Sequence, residues 1–407
     1  DHTLVNYGQW CTTNACNAFN SDIILDLASN GAGNDNFYGD TQFDRALSES
    51  TGADTYTFFN DKTYASKNIN QAVTFSANNQ ATFGTALTIS AAATLDNVNI
   101  NADTDITAGA TIKNSDITKT LTINANNITI GTSGNRNTFS LAGGDTGITS
   151  DGSNTDNITG LNISFNDFAS SNAAAYTGID LGDDFASNAI TLSDNDMTTP
   201  ITVGIKLASG TATITKSNIT SAGAAGIGIQ LAGGTGHTIG TADTWANRNT
   251  LSNLAAAIQI DNNTVDASTV TITFNDLSTG NTLAIDNNDA NAIVSAIKNY
   301  FSVTTDPIAQ VDNNANFVNY APWCSANDCS AFTQDISNST QSKKYGAGQF
   351  ERALSEANAS DELTFDNAVT YASKDINEAV TITGNNNATF GTALTISAAA
   401  TLDDVNI

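Results

Sequence analysis

From Thr55 onward, apolar residues fall at alternate positions in short segments, with Thr, Ser, Asn or Asp between them: Thr74-Phe-Ser, Ala86-Leu-Thr-Ile, Leu95-Asp-Asn-Val-Asn-Ile, Leu121-Thr-Ile-Asn and Asn127-Ile-Thr-Ile. Period-two patterning of this kind predicts strands with one apolar and one polar face. A Gly-Ile/Val-x-Leu-like segment then recurs at Gly147, Gly178, Gly204, Gly228 and Ala257, at intervals of 31, 26, 24 and 29 residues. Most are followed by a second strand with an Asn-containing turn, as in Ile163-Ser-Phe-Asn-Asp-Phe, Ile190-Thr-Leu-Ser-Asp-Asn-Asp-Met, Ile214-Thr-Lys-Ser-Asn-Ile and Val270-Thr-Ile-Thr-Phe-Asn-Asp-Leu. Strands too short for a sandwich, repeating at this interval, predict the coils of a parallel β-solenoid, each strand stacked on its equivalent about 4.8 Å away. Coils of about 25 residues between Thr55 and Tyr300 predict nine or ten turns and a rod on the order of 45 Å. Inward Ile, Val, Leu, Ala and Phe tile the interior, while Asn and Gly at the corners are expected to take left-handed angles and to ladder their amides between turns. The three prolines, Pro200, Pro307 and Pro322, interrupt few ladder donors.

One segment has helical spacing instead. Phe43, Ala46 and Leu47 share a face over 41–50, and Thr41 with Asp44 three residues later resembles a capping box. Such a helix would cover the unpaired backbone of the first coil. The segment belongs to a long-period repeat. Val318-Asn-Tyr-Ala-Pro-Trp-Cys through Ile407 rewrites Val5-Asn-Tyr-Gly-Gln-Trp-Cys through Ile100, with an offset of 313 at the start and 307 at the end. Phe350, Ala353 and Leu354 preserve the helical face, and Ala81-Thr-Phe-Gly-Thr-Ala-Leu-Thr-Ile recurs unchanged from Ala388. The predicted organisation is an entry segment over 1–40, a complete solenoid over 41–312 with its cap helix at 41–50, and a joint plus the first coils of a second solenoid over 313–407. Repetition on this scale organises fibres and arrays.

Gln42-Phe-x-Arg-Ala-Leu-Ser, Thr63-Tyr-Ala-Ser-Lys-Asn-Ile and Val73-Thr-Phe resemble the opening of right-handed parallel β-helices of the pectin-lyase-like superfamily. Tyr371, Ile376 and Val380-Thr-Ile-Thr-Gly in the second copy resemble it more closely. Ile297-Lys-Asn-Tyr-Phe with Val318-Asn-Tyr-Ala-Pro-Trp is similar to the aromatic terminus of surface-displayed members. The resemblance covers nearly the whole chain and implies an all-β, right-handed parallel β-helix opened by a short capping helix; its motifs specify fold more than activity.

A net charge of -27, from 41 acidic and 14 basic residues among 407, argues against nucleic acid as a partner, since little could neutralise a run of phosphates. Surplus carboxylates suit solvation in salt or weak collection of divalent cations. Asp180–Asp184, Asp194–Asp196 and Asp286–Asp289 are the acidic stretches; Asp183, Asp184, Asp194 and Asp196 are weak Ca2+ candidates, and no cofactor is expected. No apolar run reaches the length of a membrane helix and no leader precedes Asp1, which reads as a mature or trimmed terminus. Cys11 with Cys16 and Cys324 with Cys329 have the spacing of local disulfide staples, lack the further ligands zinc wants, and imply an extracytoplasmic location. Sequons at Asn127, Asn157, Asn162, Asn218, Asn262 and Asn387 permit glycosylation.

The search for catalytic carboxylates finds Asn154-Thr-Asp156, Asp183-Asp184 and Gly236-His237 in the order used by polygalacturonase-like enzymes, but without the second glycine or any Arg-x-Lys. Coincidence in an Asn/Asp-rich chain is the preferred reading, and no catalytic residue is assigned. Arg136 and Arg248, in twin Asn-Arg-Asn-Thr turns, read as structural residues that bond carbonyls of an adjoining loop. Trp10 and Trp323 read as packing anchors of a joint, with a carbohydrate platform as the competing reading. Phe43, Leu47, Phe350, Leu354, Val405 and Ile407 complete the expected assembly residues. The expected function is an extracellular structural protein whose units join end to end with copies of themselves into a filament, sheath or surface layer. The alternative is a secreted polysaccharide-binding adhesin, or a lyase or hydrolase acting on cell-surface glycans.

Overall fold

A computed structural model of the chain describes residues 9–13, 16, 19–26, 36–151, 157–185, 188–198, 200–241, 244–261, 265–289, 292–303, 306–311 and 317–407. The fold is all-β, mostly parallel and solenoid-like, and divides into two compact units, Asp1–Ala222 and Gly223–Ile407.

The first unit opens with an antiparallel turn in which Ile23–Asp26 pairs with both Asn36–Tyr38 and Thr55–Phe58. A 3-10 turn, Asp40–Gln42, leads into helix α1, Phe43–Glu49. The expected Thr41/Asp44 capping box is not what closes this start. Gln42 does so, its Oε1 accepting the Gly39 amide at 3.2 Å, because the tight turn brings the longer side chain back over the entering backbone. Phe43 lies 4.7 Å from the Tyr64 ring and 5.8 Å from Phe75, so the helix is anchored by an aromatic cluster built from the first coils.

From Thr55 the strands pair in parallel, and like sits over like. One inward column runs Tyr56, Phe75, Leu95, Ile112, Ile130, Ile163, Leu192, Ile214. A second runs Tyr64, Phe83, Ile100, Ile117, Phe139, Phe168, Met197, Ile219. A third includes Leu121, Ile148, Ile179 and Ile205, the recurring segments expected to stack. These inward residues are buried. Burying each aliphatic side chain stabilises by about 1.5–3 kcal/mol, and the columns supply most of the core.

Coil length is less regular than the sequence spacing predicts. On the first column the partners Thr55, Thr74, Thr94, Thr111 and Thr129 are 17 to 20 residues apart, whereas Thr129, Asn162 and Thr191 are separated by 33 and 29. The extra residues go partly into longer strands, Asn137–Leu141 and Thr146–Ser150 standing over Asp116–Ile117 and Leu121–Ile123, and partly into the connections between strands, whose length can vary at little cost while the strand register is kept.

Corners carry the polar part of the interior. Asn137, Asn166 and Asn195 are fully buried and linked, Asn137 Nδ2 donating to Asn166 Oδ1 at 3.0 Å and Asn166 Nδ2 to Asn195 Oδ1 at 2.9 Å. Their amides also donate to the carbonyls of Ile112, Ile130 and Ile163, the first of which accepts the Gly131 amide as well. The residue before Asn166 and the residue before Asn195 are left-handed, Phe165 at φ 60° and Asp194 at 53°. Elsewhere Asn itself takes the expected left-handed angles, as at Asn97 (φ 61°), Asn114 (53°), Asn127 (59°) and Asn253 (56°). Gly131 takes φ 81° where a Cβ would meet the Ser164 carbonyl oxygen at 2.0 Å.

The second unit repeats the design. Ile229, Ile258 and Ile285 stack, Ile239 lies over Ile272, and Val294 pairs with Val318. Asn249, Asn275 and Asn299 form a second ladder, with contacts of 2.9 and 3.0 Å, again behind left-handed Phe274 and Lys298. The second copy follows, with helix α2, Phe350–Glu356, over Glu362–Phe365, Thr381–Thr383 and Thr401–Asp403 in parallel.

Asn166→Ala removes the side-chain donor to the Ile130 carbonyl and to the Asn195 amide oxygen, so we expect a loss of about 2–3 kcal/mol by urea unfolding, against about 0.5 kcal/mol or less for exposed Asn218→Ala. Equal losses would remove the ladder from the account of stability.

Candidate functional site

The second unit contains the place where the first solenoid meets the second copy. Its base is the corner ladder. Thr250, Asp276, Tyr300 and Cys324 bridge in parallel one above the next, and the Cys324 amide donates to the Asn299 carbonyl at 2.9 Å. The stapled loop is therefore the next rung of the stack. Both expected disulfides are formed, Cys11–Cys16 and Cys324–Cys329. The Cys324–Cys329 pair packs with Phe274, Trp245 and Tyr300, and the Lys298 ammonium lies 5.6 Å from the ring centres of Phe274 and Phe332. Trp323 is fully buried, 6.2 Å from Tyr320, while Trp10 is partly buried in an antiparallel pair with Asn20.

Helix α2 is attached through the turn before it. Gln349 Nε2 donates to the Val318 carbonyl at 2.6 Å, while its Oε1 accepts the Gly346 amide. The Gly348 amide donates to Asp306 Oδ2 at 2.6 Å, and the Ala347 amide to Asp335 Oδ2 at 2.8 Å. A Cβ on Gly348 would lie 1.8 Å from Ile308 Cδ1, and one on Gly346 2.5 Å from the Tyr320 ring. Thr41 and Gly39 stand at these positions in the first copy. Burial pushes the Asp335 carboxyl up, against the hydrogen bonds from Ala347 and Asn367.

Phe350 and Leu354 are buried under α2 with Tyr345, Phe365, Tyr371 and Phe390, as Phe43 and Leu47 are under α1. They hold each helix to the coils that follow it. Contact with the preceding solenoid comes instead through Gln349, Gly346, Gly348, Asp306 and Ile308, which sequence reasoning did not single out. The repeated Gln-Phe-x-Arg-Ala-Leu carried the signal for Gln349; nothing local marked Asp306 or Ile308. Val405 packs partly against the second-copy core and Ile407 is exposed.

Each helix closes on an ionic cluster around a glutamate. Arg45 Nε and Tyr38 Oη bond Glu49 at 2.7 and 2.6 Å; Arg352 Nε, Tyr345 Oη and Lys343 Nζ bond Glu356 at 2.6, 3.0 and 2.9 Å. Burial pushes Glu356 up, but the hydrogen bonds from Arg352 and Lys343 outweigh it and hold the carboxyl below its ordinary value.

The other sequence candidates are not assembled into a site. Asn154, Asp156 and Asn262 lie outside the described residues. His237 is fully buried, Nε2 to the Gly233 carbonyl at 2.9 Å, and its burial lowers its pKa. Asp183 is exposed, Asp184 buried, and Asp196 pairs with Arg136 at 2.7 Å. Among the described residues no group of three or more His, Cys, Asp or Glu side chains is placed to hold a metal, Asp194 included. Arg136 bonds the carboxylates of Asp167 and Asp196 on successive coils as well as the Asn166 carbonyl. Arg248 differs from its twin, lying 4.9 Å over the Trp245 ring.

A depressed carboxyl contributes stability above its unfolded value, 4.5, and loses it as the pH falls through the lower folded value. The gap in urea midpoint between the parent protein and Glu356→Gln should therefore shrink between pH 7 and pH 3; a constant gap would show that Glu356 is not stabilised as an anion.

Among described residues no helix is long and apolar enough to cross a membrane. Compared with known proteins, the chain matches no family model, no curated protein and no solved structure.

Proposed function

We propose that this chain is an extracellular structural protein in which right-handed β-helix units, each opened by a capping helix, join end to end into a filament, sheath or surface layer. The observation that carries the reading is the attachment of α2 to the last coils of the preceding solenoid. Val318 continues the parallel register from Val294, and Gln349 holds the same Val318 through its carbonyl. A connection made by strand register, a buried Trp323 and close glycine contacts differs from a flexible linker, which carries no such bonds. The first copy repeats the stapled loop, Gln42, the helix and Gly39 in the place of Gly346, but carries Thr41 in the place of Gly348. Parallel crossover connections are right-handed in about 98% of cases, which supports the handedness. Two disulfides are compatible with secretion. The mechanism is mechanical. Load passes from coil to coil through backbone hydrogen bonds and the corner ladders, and from repeat to repeat through the stapled rung and the helix turn.

Gly348→Val places a branched side chain where Ile308 already packs. We expect it to separate the unfolding of the second copy from that of the first solenoid, giving two calorimetric transitions and new protease cleavage within 321–348, with both parts still folded. A single unchanged transition would mean that the turn does not hold the repeats together. For assembly itself, negative-stain microscopy and sedimentation at rising protein concentration should show linear particles; persistent monomers, with and without Ca2+, would defeat the proposal.

A further inference from the structure

In the first unit the surface charge is sorted by sheet. The strands of the second column present Asp116, Asp167 and Asp196 outward, and those of the third present Asp103, Asp105 and Asp180. The strands that carry Tyr56, Phe75, Leu95 and their successors differ. Between Thr55 and Thr215 the outward residues of that sheet are Thr, Ser, Asn and Ala, and its only charges are Asp96 and Lys113, which pair at 3.0 Å. Asp194 and Lys216 lie at the bend beyond it. The turns leading into these strands, with Ala72, Ala92, Gly109 and Asn126, add no surface charge among the described residues, since Asp54 is buried. A protein of net charge -27 therefore has one sheet face whose own charge is zero.

The shape and chemistry of that face say what fits it. Thr74, Thr94, Thr111 and Thr129 stand in register, one to a coil, and their hydroxyls have no partner among the described residues. Beside this ridge a groove of about 500 Å3 crosses three coils, passing Ala92, Gly109 and Asn126. Ridge and groove share the strand repeat of about 4.8 Å, which an identical solenoid matches coil for coil and an irregular surface does not. A two-fold axis sets the ridge of one copy against the groove of the other, so the face is complementary to itself. Eight strands span about 34 Å and turn plus strand about 20 Å, so two such faces bury roughly 1,400 Å2. That lies within the roughly 1,200–2,000 Å2 of stable interfaces. Like-charge repulsion disfavours contact through the aspartate-bearing sheets and leaves this face as the approach of least cost.

We propose that this uncharged face pairs the first unit side by side with the first unit of a second copy of the chain, the threonine ridge of each lying in the groove of the other. The pairing supplies the lateral contact that a sheath or layer needs. It rests on the structural reading above for its purpose but not for its contacts, which lie on the sheet and not at the join between repeats.

Sedimentation equilibrium of the full chain measures the dimer constant, and negative-stain microscopy the width of the particles. We expect side-by-side pairs whose dissociation constant falls as NaCl is raised, because salt screens the repulsion between the acidic sheets and takes nothing from an uncharged contact. Ala92→Glu/Thr111→Glu should raise that constant at least tenfold. Thr138→Glu/Asn218→Glu puts the same charge at exposed positions of another sheet and should change it less than twofold. Circular dichroism checks each fold. Ala92→Glu alone, at an exposed turn, should weaken pairing in the same direction, which keeps the test decisive if the double variant unfolds. Monomers at every concentration, pairing only with an added glycan or a second protein, pairing that weakens with salt, or equal constants in the two double variants would each overturn the proposal. Linear particles one unit wide would overturn it and leave end-to-end joining standing, whereas pairs that never lengthen would support it and count against that joining.

Discussion

Parallel in-register stacking is the constraint on which the rest of this structure depends. When each coil lies on the one before it with strand over strand, every inward residue meets its own counterpart, and the interior becomes columns of like side chains. Apolar columns satisfy this easily, as in Leu121, Ile148, Ile179 and Ile205. A polar residue satisfies it only if it bonds to itself while also serving the backbone. Asn does so, because its amide offers donors and an acceptor at once. The ladders at Asn137–Asn166–Asn195 and Asn249–Asn275–Asn299 follow, with a left-handed residue directly before Asn166, Asn195, Asn275 and Asn299.

The same constraint explains why identical sequence has different surroundings in the two copies. Ala81–Ile89 and Ala388–Ile396 have the same nine residues and both form strands. Ile89 is 0% exposed because Asp103–Ile106 pairs over it, whereas Ile396 is 47% exposed. Alternation specifies which face of a strand turns inward; burial also depends on which coil is laid on top.

The join between repeats shows how a stacked architecture changes direction from strands to a helix without a linker. The disulfide closes a short loop that takes a rung's place, and so the staple stabilises a position in the stack more than it closes a long chain segment, consistent with its modest entropic gain of about 2 kcal/mol. Glycine at 346 and 348 removes the two Cβ atoms that would keep the helix turn away from Tyr320 and Ile308. Gln349 then bonds both its own turn and the preceding coil. The result joins the two elements through a few close contacts and hydrogen bonds, the Gly348 amide to Asp306 among them.

Much of this was legible in the chain. Period-two alternation marked the strands, the recurring Gly-Ile-x-Leu segments marked the register that Ile148, Ile179 and Ile205 adopt, and Cys spacing marked the staples, because each of these signals is local. What was not legible required the third dimension. The coil lengths depended on loops that stacking tolerates at almost any size. The roles of Asp306 and Ile308 arose from residues about forty positions away in sequence. Phe43 and Leu47 proved to bind the coils that follow them, and Arg136 to span carboxylates contributed by successive turns. The sequence by itself determined which residues face inward, since that is set by the pleat. Only the tertiary structure decided which residues meet, because stacking brings together positions a variable number of residues apart.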